Sequence, residues 1–333
     1  MNSGLDEDRR PEEHGGLGKP ATLRQCHEVI EAQALQIAQL REQMALLQER
    51  LKAFRLTLAK LIPKIPNDKI TLNILESKSL NSILIDYINW QLRLIHPRPR
   101  AVVIEPAVTA DKRWSTVGIQ IKELLDKVRA GSDLNPHLSL RAFKNGFAPA
   151  AAIPSPQTDI WADKDFQLNA TGYHHFHLSS EMKASGFAKR SDEMLFAQVT
   201  RESFVAIGIF DHGVFDAAID AVTSTISAER FRLAHLHEKR ISAGHPPGTV
   251  LISSLIATSG HTLHNVRLAD SYGYIARNID PKLDELSSRG NVFEGVPHEE
   301  VKKMKLAWHL NYLDLGLVDK TTHKFYVLQY GPL

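Results

Sequence analysis

The chain has 333 residues, with 40 lysines and arginines against 38 aspartates and glutamates, a formal net charge of +2 and 43% apolar residues. That length suggests about two domains with extensions, and the near balance of charge argues against a polybasic tail or one large nucleic-acid-binding surface. The single cysteine, Cys26, allows no disulfide within the chain. With no apolar signal core and no run of eighteen apolar residues, a cytoplasmic protein without a membrane span is expected.

Residues 1–20 are charged, rich in Gly and Pro and poor in apolar side chains, which predicts a disordered tail. Over 21–62 the pattern changes. Leu23, Cys26, Ile30, Ile37, Leu40, Met44, Leu47, Leu51, Phe54, Leu58 and Leu61 recur in steps of three and four until Pro63. This is a heptad seam, with Gln33 as a register-setting polar position. A helix of about 60 Å follows from the standard rise per residue. Its apolar stripe must pair, so self-association through a coiled coil is expected, with a protein partner as the other way to cover it.

A small mixed α/β region follows over 63–146. KITLNIL (69–75) reads as a short strand, 79–95 as a helix, AVVIE (101–105) as a strand and 114–130 as a helix. In that last helix Ile119, Ile121, Leu124, Leu125 and Val128 are expected to point inward, with Gly131 as C-cap. The stretch 147–158, rich in Ala, Pro and Ser, reads as a linker. An α+β domain is expected over 159–333, with helices at 215–241 and within 297–315, a strand at 249–256 and a final strand pair around the turn DKTTHK. Residues 260–278 give no clear pattern.

The chemistry concentrates in 172–213. GYHHFHLSS alternates so that Tyr173, His175 and His177 share one face of a strand, and His174, Phe176 and Leu178 the other. Residues two apart on a strand are about 7 Å apart. His175 and His177 can therefore flank one phosphate-sized group. EMLFAQVT (193–200) and FVAIGIF (204–210) complete an antiparallel three-strand meander that ends at Asp211 and His212. The loop before its second strand brings Lys189 and Arg190 back toward His177, whereas the position of His212 depends on a register that the sequence leaves open.

Metal-independent RNA cleavage needs a base for the 2′-OH, an acid for the leaving 5′-oxygen and cations for the phosphoryl transition state. Here His175, His177 and His212 are the acid/base candidates. Arg190 and Lys189 are the phosphate contacts, and Tyr173 is a further substrate-binding candidate. A His-bearing strand, a basic loop, a hydrophobic strand, a short turn and a third strand ending in His resemble the sheet of RelE-like toxin ribonucleases over 172–213. That resemblance implies a toxin-like or defence-type ribonuclease with RNA as partner. Over roughly 133–213, Pro136-His137-Leu138-Ser139, the run His175-Phe176-His177-Leu178 and RSDEMLFA are similar to uncharacterised bacterial proteins with a PHLS segment and an H-[LF]-H-L strand.

Two other readings stand beside this one. His175, His177 and Glu181, with His212 as a further ligand, fit H-x-H-x-x-x-E, which resembles the first cupin motif and would make a metal-dependent enzyme. The expected second motif is missing. Alternatively the histidines are structural and the chain is a non-enzymatic coiled-coil interaction protein. No H-E-x-x-H, phosphate-binding loop or dinucleotide fingerprint occurs, and no cofactor is expected. The expected architecture is α+β: an antiparallel three-strand meander at the core of a mixed domain, preceded by a long N-terminal coiled-coil helix.

Overall fold

The structure is a computed structural model that describes residues 33, 49–149, 163–216, 226–246, 249 and 255–333. Residues 47–333 form one compact unit. The tail over 1–20, residues 150–158 of the linker expected at 147–158 and residues 250–254 of the strand expected at 249–256 lie outside the described residues, as does most of the coiled coil. Its last turns are the described helix α1 (49–61), whose seam side chains Phe54 and Leu58 are buried within this unit. These two positions of the stripe are covered by the chain itself and not by a second helix of a coiled coil, while Leu61 is 49% exposed.

After α1 come α2 (Lys69–Ser77), α3 (Leu80–Gln91), β1 (Ala101–Ile104), α4 (Pro106–Thr109) and α5 (Trp114–Ala130). The segment expected as a strand at 69–75 is helical. Asp68 caps it by accepting from the Thr71 N–H, and Thr71 and Leu75 share the buried side one turn apart. Helix α5 ends as expected, on Gly131 in the left-handed region (φ 71°). Ile119, however, is 72% exposed, because the buried stripe runs through Val117, Ile121, Leu124, Leu125 and Val128.

Next are α6 (Leu140–Lys144), α7 (Phe166–Thr171), β2 (Tyr173–His177), β3 (Glu193–Val199), β4 (Ser203–Asp211) and a 3-10 turn (His212–Phe215). β2, β3 and β4 form the expected antiparallel meander, and β1 joins it in parallel to β4, giving a mixed sheet in the order β1-β4-β3-β2. One face packs on α5 through Phe176, Leu195, Phe204 and Ile209. The other carries Tyr173, Phe196, Ile207 and Phe210 against Leu233 of α8 (Ala228–Ser242).

The pairing of β3 with β4 contains a bulge. Phe196 pairs with Gly208, but Ala197 pairs with Ala206, so Ile207 is an extra residue on β4. Phe204 and Ala206 face α5, as does Ile209, while Ile207 and Phe210 face α8. Beyond the bulge, therefore, every side chain has exchanged faces. Asp211 continues the strand in extended backbone (ψ −179°), so His212 emerges on the same side as Phe210 and as Tyr173, His175 and His177.

The remaining elements are α9 (Leu263–Ile279), α10 (Leu286–Val292), α11 (His298–Lys303), β5 (Leu306–Asn311), β6 (Asp314–Asp319) and β7 (Phe325–Gln329). Residues 260–278, unreadable in sequence, hold α9, capped by the Thr262 hydroxyl accepting from Asn265 N–H. The helix expected within 297–315 is corrected: α11 is short, and Leu306, Ala307 and Leu310 lie on β5. The expected final pair is β6–β7, and with β5 it makes a second, antiparallel sheet.

That sheet closes a core with α1, α3 and α9. Asp280, fully buried, fastens it. Its Oδ1 accepts from Arg50 Nε (2.9 Å) and from the Trp308 indole N–H (2.6 Å). Asp280→Ala leaves the buried Trp308 indole N–H without an acceptor, while partly exposed Arg50 keeps Asp284 (2.7 Å), and a loss of about 1–3 kcal/mol is expected. Urea unfolding would measure it. No helix among the described residues is long and apolar enough to cross a membrane.

Candidate functional site

A cavity of about 760 Å³ opens beside the end of the meander where β2 stops and β3 begins. Its wall includes His174, His175 and His177 from β2, Met194 from β3, His212 and Phe215 from the 3-10 turn, and Arg190 from the β2–β3 loop. The register pairs His177 with Met194 and Met194 with Phe210, which sets the start of the turn near the end of β2. With the bulge upstream, this brings the His177 and His212 ring centroids to 6.0 Å.

The cavity is electropositive. Among the described residues Arg93, Arg141, Lys164, Lys183, Arg190 and Arg230 line it, against a single carboxylate, Asp165. A lining of this kind selects anions. Arg190 reaches His212. Its Nη2 donates to His212 Nδ1 (3.2 Å), while His212 Nε2 donates to the Ser191 carbonyl (3.1 Å). Both ring nitrogens of His212 are engaged, one with the Arg190 guanidinium and one with the Ser191 carbonyl.

The other histidines divide by what their nitrogens meet. His174 turns to the α5 side and donates from Nε2 to the Leu92 carbonyl (2.8 Å), and burial pushes its pKa down to about 4. His177 is pushed down to about 4 by burial first, then by His175, His212, Arg190 and Lys183. Its Nδ1 is buried without a partner among the described residues, and the ring forms part of the cavity wall. His175 sits between Phe196 and Phe215, with ring centroids at 5.7 and 4.9 Å. Burial lowers its pKa too, but Asp165 opposes the shift. Both rings on the cavity side are thus neutral at pH 7, and only His175 has a carboxylate favouring its protonated form.

Two expected site residues lie elsewhere. Tyr173 is 2% exposed, and its hydroxyl meets His237 Nδ1 (3.1 Å) beneath α8 instead of lining the cavity. Tyr173→Phe is expected to cost about 1 kcal/mol of stability, the worth of one hydrogen bond, and to leave any activity of the cavity unchanged in a steady-state assay. Lys189 points away and pairs with Glu181 (3.1 Å) on the exposed surface. The proposed metal set is broken by the same contact, since Glu181 faces Lys189 and does not line the cavity. Among the described residues no three His, Cys, Asp or Glu side chains are grouped to hold a metal ion.

The PHLS segment has a structural task. His137 donates from Nδ1 to the His177 carbonyl (2.9 Å) and accepts at Nε2 from Lys127 (3.0 Å), while the Pro136 carbonyl accepts from the Ala188 N–H (2.8 Å). It clamps the end of β2 and the loop that carries Arg190, and its Leu138 and Ser139 join the cavity wall. The local reading missed Arg93, Arg141, Lys164, Asp165, Lys183 and Arg230. They come from several separate segments, and no spacing along the chain announces that they meet.

Compared with known protein families, with characterised proteins and with solved structures, the chain matches none of them.

Proposed function

We propose that the chain is a metal-independent ribonuclease acting at this cavity, in the class of reaction that its likeness to RelE-like toxin ribonucleases implies. One observation carries the reading: two imidazoles held neutral at pH 7 and a guanidinium held by a third share an anion-selecting cavity.

His177, with the pKa of about 4, is the base. It takes the 2′-OH proton as the 2′-oxygen attacks phosphorus. The O2′–P bond forms, the P–O5′ bond breaks, and His175 gives a proton to the 5′-oxygen from its minor protonated fraction, which burial disfavours and Asp165 partly restores. The products are a 2′,3′-cyclic phosphate and a 5′-hydroxyl, with no external reactant. Arg190 and Lys183 face the non-bridging oxygens, where cations count most.

Total RNA incubated with the full-length protein and excess EDTA is the direct test. Fragments ending in cyclic phosphate are expected. RNA left whole from pH 5 to 8 at micromolar protein, or cleavage that EDTA abolishes, would overturn the proposal. A non-enzymatic role gains support from His137 and His174, which bond to backbone carbonyls as structural histidines do. A protein that binds RNA without cutting it would favour that role.

A further inference from the structure

The cations of the cavity stand at two depths. Arg141, Lys183, Arg190 and Arg230 are exposed and mark its mouth. Arg93, 5% exposed, and Lys164, whose side chain is 6% exposed, line the same cavity from within. A buried cation with weak compensation is costly, so its surroundings decide what it is for.

Arg93 gives Nε to the Asn89 carbonyl (3.3 Å) and Nη2 to the Asn145 carbonyl (2.5 Å). Among the described residues no carboxylate forms an ion pair with it. Burial lowers its pKa to about 10, and the fields of Asp165 and Asp163 only partly offset that. Lys164 pairs with Asp163 (2.6 Å). Behind this floor the charges are already matched: Lys78 pairs with Asp86 (2.5 Å), and His261 lies 3.7 Å from the same carboxylate. The uncompensated charge therefore belongs to the cavity side, on Arg93.

We propose that this floor binds the terminal phosphate monoester of a single-stranded RNA, so that the cavity receives a chain end and not the middle of a strand. The idea rests on the ribonuclease reading for the fate of the RNA, but not for the binding of the phosphate. Arg93 and the Lys164 side chain are the buried cations of the lining, so a phosphate that reaches them trades water for charge-assisted hydrogen bonds, which suits a terminal dianion more than a singly charged diester. A volume of about 760 Å³ falls in the range of sites for single small ligands and excludes a duplex. The terminal dianion meets Arg93 and Lys164, and the adjoining phosphodiester falls to His175, His177 and Arg190.

The test uses the full-length protein and one short RNA in three forms, with a 5′-phosphate, with a 3′-phosphate, or with hydroxyls at both ends. One phosphorylated form is expected to be cleaved at least about tenfold faster in kcat/KM, and which one identifies the end that enters. Lys164→Gln should collapse that ratio, and because it leaves buried Asp163 unpaired its thermal melt is recorded beside the assay to show that it is folded. Equal rates for all three forms would overturn the proposal. Calorimetric titration with adenosine 5′-monophosphate, adenosine 3′-monophosphate and adenosine separates the two claims. Preference for a monophosphate, weakened in Lys164→Gln, with no RNA cleaved, keeps the floor and removes the ribonuclease. Equal binding of nucleoside and nucleotides removes the floor, whatever happens to RNA.

Discussion

His177→Gln is expected to lower RNA cleavage by about 10²–10⁴-fold, the usual worth of a positioned general base. Glutamine keeps a polar group of similar reach but cannot take a proton at any pH where the protein is folded. The backbone carbonyl that His137 holds remains, so the end of β2 is not released. The melting temperature should move by no more than about 2 °C, which separates lost chemistry from lost fold. His175→Gln should cost a similar factor. The double variant should cost little more than either single one, because acid and base act in one step. The pH profile carries the assignment further. The base is free above about pH 4, and the acid is charged only below a pKa that lies under its ordinary value. Cleavage should therefore rise as pH falls from 7.5 toward 5.5. A variant lacking His177 that cleaves like the parent, or a rate that climbs into the alkaline range, would remove the mechanism.

The same imidazoles should make the protein sensitive to acid. Burial holds His174 and His177 at about 4, and His261 at about 3 with help from Lys164 and Lys78. In the unfolded chain each titrates near 6.5. Above that pH both states are neutral and nothing is lost. As pH falls from about 6.5 toward 4, only the unfolded chain takes up the protons, so stability drops with every proton bound there. At pH 4 the loss is about 3 kcal/mol for each ring, and for the three on the order of 9 kcal/mol, similar to the whole stability of an ordinary domain. Thermal melts between pH 7 and 4 should show a steep fall beginning near 6.5. A flat Tm across that range would mean that the rings protonate without unfolding. The acid limb of the cleavage profile should then coincide with loss of structure before His177 itself takes a proton.

The meander was legible because period-two alternation in 173–177 and apolar runs at 193–199 and 203–211 are local signals, bounded by short polar loops. Helix α2 was not legible. Ile70, Thr71 and Ile74 are β-branched and favour a strand, and the contrary sign was a single capping aspartate, Asp68. The boundary between α11 and β5 was hidden for a different reason. No Gly or Pro separates Val301 from Trp308, and buried Val301, Met304, Trp308 and Leu310 suit a helix as well as a helix followed by a strand. In the site, His175, His177, Arg190 and His212 could be named from one stretch. The anion-selecting character could not be, because Arg93, Lys164 and Arg230 arrive from remote segments through tertiary packing. Tyr173 was placed on the correct face and still misassigned, since α8 covers that face at the Tyr173 end and leaves it open at the His177 end.

The extra residue at Ile207 works like a frame shift within a strand. Excise any one residue between Ala206 and Ile209 and simple alternation returns, turning Phe210 and His212 toward α5 and stranding Arg190 without its anchor. The site therefore depends on the number of residues here as well as on their identity: a single deletion would dismantle the cavity wall without removing one histidine from the sequence.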